Sequence, residues 1–159
     1  MKIRGARGGD AGAITRIWNR EIREGVSTFN SVEKDEAAIA ALMAVRPAAL
    51  LVAEAEGAVL GFATWDQFRA GVGYRHTFEH TIPLDQTIRG RGVGRALMGA
   101  VEAGARREGA HVLVAGIAGE NAAGVAFHAR MGFAHVGRMP QVGRKFGRWM
   151  DLILMQKML

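Results

Sequence analysis

Residues 89–96 read Arg89-Gly90-Arg91-Gly92-Val93-Gly94-Arg95-Ala96. A β-like run ends just before them at Leu84, and apolar residues recur just after at Val93, Leu97, Val101 and Ala105. Strand, glycine-rich turn and helix are the parts of a phosphate cradle. Glycine lets the backbone approach a ligand closely and present its N–H groups. The helix N-terminus behind the turn carries about half a positive charge, and Arg89, Arg91 and Arg95 add full charges. Two common phosphate loops do not fit. A Walker loop needs Gly-Lys-Ser/Thr, which the chain lacks. A dinucleotide fingerprint needs Gly-x-Gly-x-x-Gly, yet the third position holds Arg95 counting from Gly90 and Leu97 counting from Gly92. The spacing that does fit is Arg-x-x-Gly-x-Gly, from Arg89 through Gly92 to Gly94. The bland alternative is a solvated turn before a helix.

Outward from this loop the chain reads as alternating short elements. Lys2–Arg7 is strand-like, and Asp10 is placed to cap a helix carrying Ile14, Ile17, Trp18 and Ile22. Ser31 is read as the cap of a second helix through Val45, stopped by Pro47. Residues 50–56 and 59–65 flank Gly57 as a hairpin, and 74–84 form a longer strand. Beyond the glycine loop the third helix ends near Gly109, 112–117 is a buried strand, Asn121 opens a fourth helix, and 133–138 and 149–158 close the sheet. The order βααβββαβαββ predicts an α/β (α+β) fold, one domain over residues 1–159, with a central mixed sheet of seven strands and helices on both faces.

Composition narrows the classes. The length suits one domain with a true core, and 49% hydrophobic residues exclude disorder. No apolar run reaches the ~18 residues of a membrane span, and Met1–Arg7 lacks the apolar core of a signal peptide. There is no cysteine, hence no disulfide or thiolate chemistry; no metal is expected, and a cytoplasmic setting is. The net charge of +6 favours an acidic ligand. Nucleic acid satisfies that sign, but the arginines cluster beside glycines at 89–95 and 144–148, not among exposed aromatics.

The Arg-x-x-Gly-x-Gly loop is similar to the coenzyme A loop of the GCN5-related N-acetyltransferases. Three further segments resemble one branch, the phosphinothricin and methionine sulfoximine acetyltransferases. These are Arg75-His76-Thr77-Phe78-Glu79-His80-Thr81, the run from Gly119-Glu120-Asn121 through Phe127-His128 to Gly132-Phe133, and Met139-Pro140-Gln141-Val142-Gly143-Arg144-Lys145-Phe146-Gly147-Arg148-Trp149-Met150-Asp151. The resemblance spans nearly the whole chain and is weakest over 30–60. It implies acetyl-coenzyme A as co-substrate, a small amino acid analogue as acceptor, a homodimer, and a V-shaped splay between the fourth and fifth strands. The alternatives are a protein N-terminus or a polyamine as acceptor, a nucleic-acid module, and a coenzyme A-binding regulator without catalysis.

The resemblance also implies site residues. Glu79 falls on the family's general base. An ammonium acceptor must lose a proton before it attacks a thioester, and a carboxylate at the cleft can take it. His128 falls where a tyrosine often protonates the departing thiolate, with a satisfied core histidine as the equal alternative. Cofactor contacts fall on Ile82, Leu84, Arg89, Gly90, Arg91, Gly92, Val93, Gly94, Arg95 and Asn121. If 75, 77 and 79 share one strand face, Arg75 grips a substrate carboxylate beside Thr77 and Glu79. Phe29, Trp65 and Phe146 are candidate walls of the acceptor pocket, and Lys145 a second cation there. Two residues depart from the family: Pro83, where tyrosine is usual, removes an N–H donor from the strand beside the cofactor, and Gly124 replaces a common serine.

Overall fold

The computed structural model describes residues 1–88 and 90–159; Arg89 lies outside them, as does the side chain of Gln86. Seven strands, β1 (Lys2–Gly5), β2 (Leu50–Ala55), β3 (Ala58–Gln67), β4 (Thr77–Thr81), β5 (Val112–Ala118), β6 (Ala134–Lys145) and β7 (Arg148–Met158), form one sheet in the order β1-β2-β3-β4-β5-β7-β6. Only β4 and β5 run parallel; every other pairing is antiparallel. The helices α1 (Ala11–Glu24) and α2 (Glu36–Val45) cover one face, and α3 (Val93–Arg107) the other, with α4 (Ala122–Arg130) after β5.

Two cores follow from the two faces. Ile14 and Ile17 of α1 and Ile39 of α2 meet Leu50, Val52 and Phe62. Leu97, Met98, Val101 and Ala105 of α3 meet Trp65, Phe78 and Leu113. Each Leu, Ile, Val, Met or Phe among them removed from water contributes about 1.5–3 kcal/mol. The α3 packing is tight: a Cβ on Gly104 would lie 2.5 Å from the Trp65 ring. Trp65 pairs across the ladder with His80, so it shares His80's face and not that of Glu79.

Four sequence expectations are corrected. Asp10 does not cap α1 with its side chain; its carboxylate takes Arg4 at 2.7 and 2.9 Å and the Arg7 N–H at 2.7 Å. The cap of α2 is Asp35, accepting from the Ala38 N–H at 2.8 Å, and Ser31 lies in the preceding loop. β4 starts at Thr77, because 72–74 wind into a 3-10 turn after Gly71, whose φ is +110°. β6 runs on past Arg138 through a register shift between Met139 and Gly143 that absorbs Pro140.

Candidate active site

β4 and β5 pair from Thr77–Val112 to Glu79–Val114 and then separate. β5 continues along β7 alone. The chain after β4 stays with β3 instead: Phe62 N–H donates to the Pro83 carbonyl at 3.1 Å and Asp85 N–H to the Leu60 carbonyl at 2.8 Å. Between the diverging strands opens a cleft of about 760 Å³.

Pro83 removes less than its place suggests. Gly61 and Leu84 face each other across β3, flanked by the two bonds just given. Extended backbone alternates its N–H directions, so position 83 points at β3 and the N–H groups of Ile82 and Leu84 point into the cleft. The donor that proline lacks belonged to the ladder.

At one end of the cleft lies the glycine loop. Gly90 and Gly92 hold φ of +82° and +78°, a left-handed conformation open chiefly to glycine. Gly92 starts α3, and the first intrahelical bond is Ala96 N–H to the Gly92 carbonyl at 3.0 Å. The N–H groups of Val93, Gly94 and Arg95 therefore lack helical partners at the cleft wall. Arg91 and Arg95 make no ion pair among the described residues. Asp85 steadies the approach to the loop, accepting from Thr87 N–H at 3.0 Å, Thr87 Oγ1 at 2.7 Å and Arg16 at 3.2 Å. Gly94 has a packing role: a Cβ there would sit 3.3 Å from Phe127 and 3.4 Å from Leu84. Asn121 caps α4 through Oδ1 on the Gly124 N–H at 2.9 Å, leaving its Nδ2 for a ligand. Gly124 gives that amide room, since a Cβ would lie 2.5 Å from Nδ2. Left-handed glycines, free N–H groups and unpaired arginines fit a pyrophosphate, and the cleft-facing donors of Ile82 and Leu84 fit a pantetheine arm.

At the splay itself stands Glu79. Its carboxylate faces the open cleft, makes no hydrogen bond or ion pair among the described residues, and is pushed above its usual range by the protein around it. Gly116 of β5 makes the space, because a Cβ there would fall 2.8 Å from Glu79 Oε1. Residue 79 is accessible through the cleft mouth and yet partly desolvated by its walls.

The two histidines below it are neutral. His128 Nδ1 lies 2.7 Å from the Gly124 carbonyl, which can only accept, so Nδ1 carries the proton. His128 Nε2 is then bare and accepts from His80 Nε2 at 3.2 Å. His80 Nδ1 is left buried without a partner among the described residues. Burial pushes His80 down to about 3 and lowers His128 too. His128 lines the cleft, with Nε2 directed at His80 in this tautomer.

The acceptor wall differs from expectation. Phe29 lines the cleft, with Ser27 and Thr28. Arg75 does not: it precedes β4, and its Nε donates to His76 Nε2 at 2.9 Å, towards the turn after α3. Thr77 shares Glu79's face but sits in the paired part of the strand, outside the lining. Trp65 is core, its Nε1 bonded to Glu108 at 3.0 Å. Phe146 is an exposed turn residue at φ +54°. Lys145 is buried and its ammonium is taken by main-chain carbonyls. Arg89 lies outside the described residues.

Sequence reasoning missed Trp18, Glu21 and Lys34, which line the cleft from α1 and the loop after it. Buried Asn19 fixes Lys34 by accepting from its N–H at 2.8 Å and donating to its carbonyl at 2.7 Å, and Lys34 Nζ stands 4.6 Å over the Trp18 ring. The Ile14–Ile17–Ile22 period could have flagged Trp18 and Glu21 as flanking the buried stripe; no signal marked Lys34.

Comparison with known proteins agrees with this geometry. The acetyltransferase (GNAT) family's sequence profile matches residues 13–133. The L-methionine sulfoximine/L-methionine sulfone acetyltransferase of Salmonella typhimurium is 39% identical, over all of this chain and 95% of its own. The structure of yncA from Salmonella typhimurium, a putative acetyltransferase solved with its cofactor acetyl-CoA, superposes at TM-score 0.94 with 39% identity, covering 99% of this chain and 93% of that one. The ribosomal-protein-alanine N-acetyltransferase from Brucella melitensis superposes at 0.95 with 38% identity over the full length of both.

Proposed function

This chain belongs to the acetyltransferase (GNAT) family and is an acetyl-coenzyme A-dependent N-acetyltransferase; from that premise we propose that its acceptor is the amine of a small amino acid analogue of the methionine sulfoximine, methionine sulfone or phosphinothricin type. The observation that carries the reading is Glu79: one unpaired carboxylate, raised in pKa by its surroundings, where β4 leaves β5.

Acetyl-coenzyme A supplies the acetyl group when bound. Gly90, Arg91, Gly92, Val93, Gly94 and Arg95 hold its phosphates, with Arg89 beside them in sequence; the N–H groups of Ile82 and Leu84 and the amide of Asn121 hold the rest. Glu79 takes a proton from the acceptor's ammonium onto a carboxylate oxygen. A raised pKa brings it nearer that of the amine, which is mostly protonated at neutral pH, and makes it a stronger base. Both substrates share one cleft, so orientation supplies much of the rate and no covalent enzyme intermediate is needed. Phe29 packs on the acceptor's side chain, and Lys34, which lines the same cleft, meets its carboxylate. The reading includes a cytoplasmic homodimer with no nucleic-acid or membrane partner. Its support is the whole-chain likeness, the placement of the arginines at the cleft, and that among the described residues no helix is long and apolar enough to cross a membrane.

Acetylation of an N-terminal alanine is the second reading, favoured by the name of the Brucella relative. Thiol release from acetyl-coenzyme A decides between them. Methionine sulfoximine, methionine sulfone and phosphinothricin are expected to give the highest kcat/KM, above a decarboxylated analogue, spermidine and a peptide beginning with alanine. A preference for the peptide overturns the acceptor class. With the best acceptor, Glu79→Gln is expected to lose about 10²–10⁴ in kcat near neutral pH and to bind acetyl-coenzyme A as before.

A further inference from the structure

Lys145 is the one buried cation among the described residues, 5% exposed. It stands near the end of β6, on the part of the β6–β7 hairpin that runs past β5, whose pairing with β7 stops at Leu152. Its Nζ donates to the carbonyls of Gly25 at 2.7 Å, Thr28 at 2.9 Å and Glu21 at 3.4 Å. An ammonium has three protons, and all are used on main-chain oxygens of the end of α1 and the loop after it. Two residues earlier Gly143 lies flat against Phe29; a Cβ there would overlap the ring.

The loop has little else to hold it. Its own bonds are two small turns, Asn30 N–H to Thr28 at 3.2 Å and Val32 N–H to Asn30 at 2.9 Å, beside one bond from Ser27 N–H to the Glu21 side chain of α1 at 2.9 Å. Its other anchors, Asn19 on Lys34 and the Arg23–Glu33 ion pair, lie at the far end. Yet Ser27, Thr28 and Phe29 line the cleft that Glu79 faces.

We propose that Lys145 is a positioning residue for the acceptor: its ammonium and the Gly143–Phe29 contact hold the 25–30 loop in the shape that binds the acceptor. The inference rests on reading the cleft as an acetyl-transfer site. A loop freed of the clamp spends part of its time in shapes that do not bind, and the apparent acceptor affinity falls by the competent fraction. Acetyl-coenzyme A's phosphate loop lies on other elements and is untouched. At saturating acceptor the loop is held closed by its ligand, so turnover changes little.

The test is Lys145→Met. Charge-assisted hydrogen bonds are strong enough that acceptor KM should rise about tenfold or more. The calorimetric Kd for acetyl-coenzyme A should stay within about twofold, kcat should change little, and proteolytic cleavage between Gly25 and Lys34 should quicken. Gly143→Ala, which keeps the ammonium and displaces Phe29, should give the same split of KM from kcat. Acceptor KM and acetyl-coenzyme A Kd weakened alike, or acceptor KM unchanged in both variants, overturns the proposal. Loss of acetyl-coenzyme A binding in both variants also overturns it, because Lys145 then supports the whole fold and not the loop. A wild-type protein that releases no thiol with any amine overturns instead the functional reading, and this inference with it.

Discussion

An ionised Glu79 is a residue the fold would be more stable without. Its carboxylate has no cation or N–H beside it, and the protein around it raises its pKa. The sign follows from linkage. A group whose folded pKa lies above its unfolded one contributes stability below the unfolded pKa. That contribution is lost as pH rises through the folded value, so at pH 7 the charge opposes folding. Glu79→Gln removes the charge and keeps the shape. Its Tm at pH 7 should equal or exceed the wild type's, and the advantage should vanish below the ordinary glutamate pKa. A Tm that falls at pH 7 would assign Glu79 a structural partner instead. Asp10 runs the other way: the Arg4 guanidinium, bonded at 2.7 Å, holds it below its usual range, and its contribution is lost in acid. The same site residue could be read from sequence, but its environment could not. Glu79 sits in a strand whose neighbours bear the family pattern, whereas the space at Gly116 comes from a strand that lies next to it only after folding.

At the scale of elements, the glycine loop was legible because it is local: six consecutive residues carry its turn, its free N–H groups and its charge. The acceptor wall was not, because it is built from α1, the loop after it and the far end of a hairpin. Arg75 shows why. Strand alternation would set it beside Glu79, but the left-handed Gly71 winds 72–74 into a 3-10 turn and β4 begins two residues too late. Trp65 was misplaced for want of register, since only its pairing with His80 reveals which face it takes. The loop's glycines also divide by task in a way spacing does not reveal. Gly92 is left-handed at the helix start with open space around its Cβ position, and Gly94 is packed on Phe127 and Leu84. Gly92→Val should weaken acetyl-coenzyme A binding about tenfold, because the free loop relaxes out of a left-handed conformation that costs about 1–2 kcal/mol to restore on binding, with a Tm near wild type. Gly94→Val should lower Tm as well, by pressing on Phe127. Calorimetric titration beside thermal melting separates them; equal effects on both measures in both variants would dissolve the distinction.

Across the whole molecule, the β6–β7 hairpin uses its two faces differently. Past β5 its residues alternate: Gly143 and Lys145 are buried on the acceptor loop, while Val142 and Phe146 face out with Met139 and Trp149 at 46–59% exposure. β6 is also the sheet's edge strand, and an apolar edge left open invites another chain. The proposed homodimer would set a second copy on this surface, and the same hairpin would then fix the acceptor loop from one side and the dimer from the other. Each copy carries +6, so association sets an apolar attraction against like-charge repulsion. Screening by salt weakens only the repulsion. Dimerisation should therefore tighten as ionic strength rises, the reverse of an interface held by ion pairs. Light scattering on the eluting protein should give about twice 17.1 kDa, and Trp149→Glu should shift the mass towards the monomer. Because Trp149 lies on the hairpin that holds the acceptor loop, that variant should also raise acceptor KM while leaving acetyl-coenzyme A binding intact. A wild type that stays monomeric at high salt and high concentration would remove the dimer from the account, and would leave the exposed row for a partner of another kind.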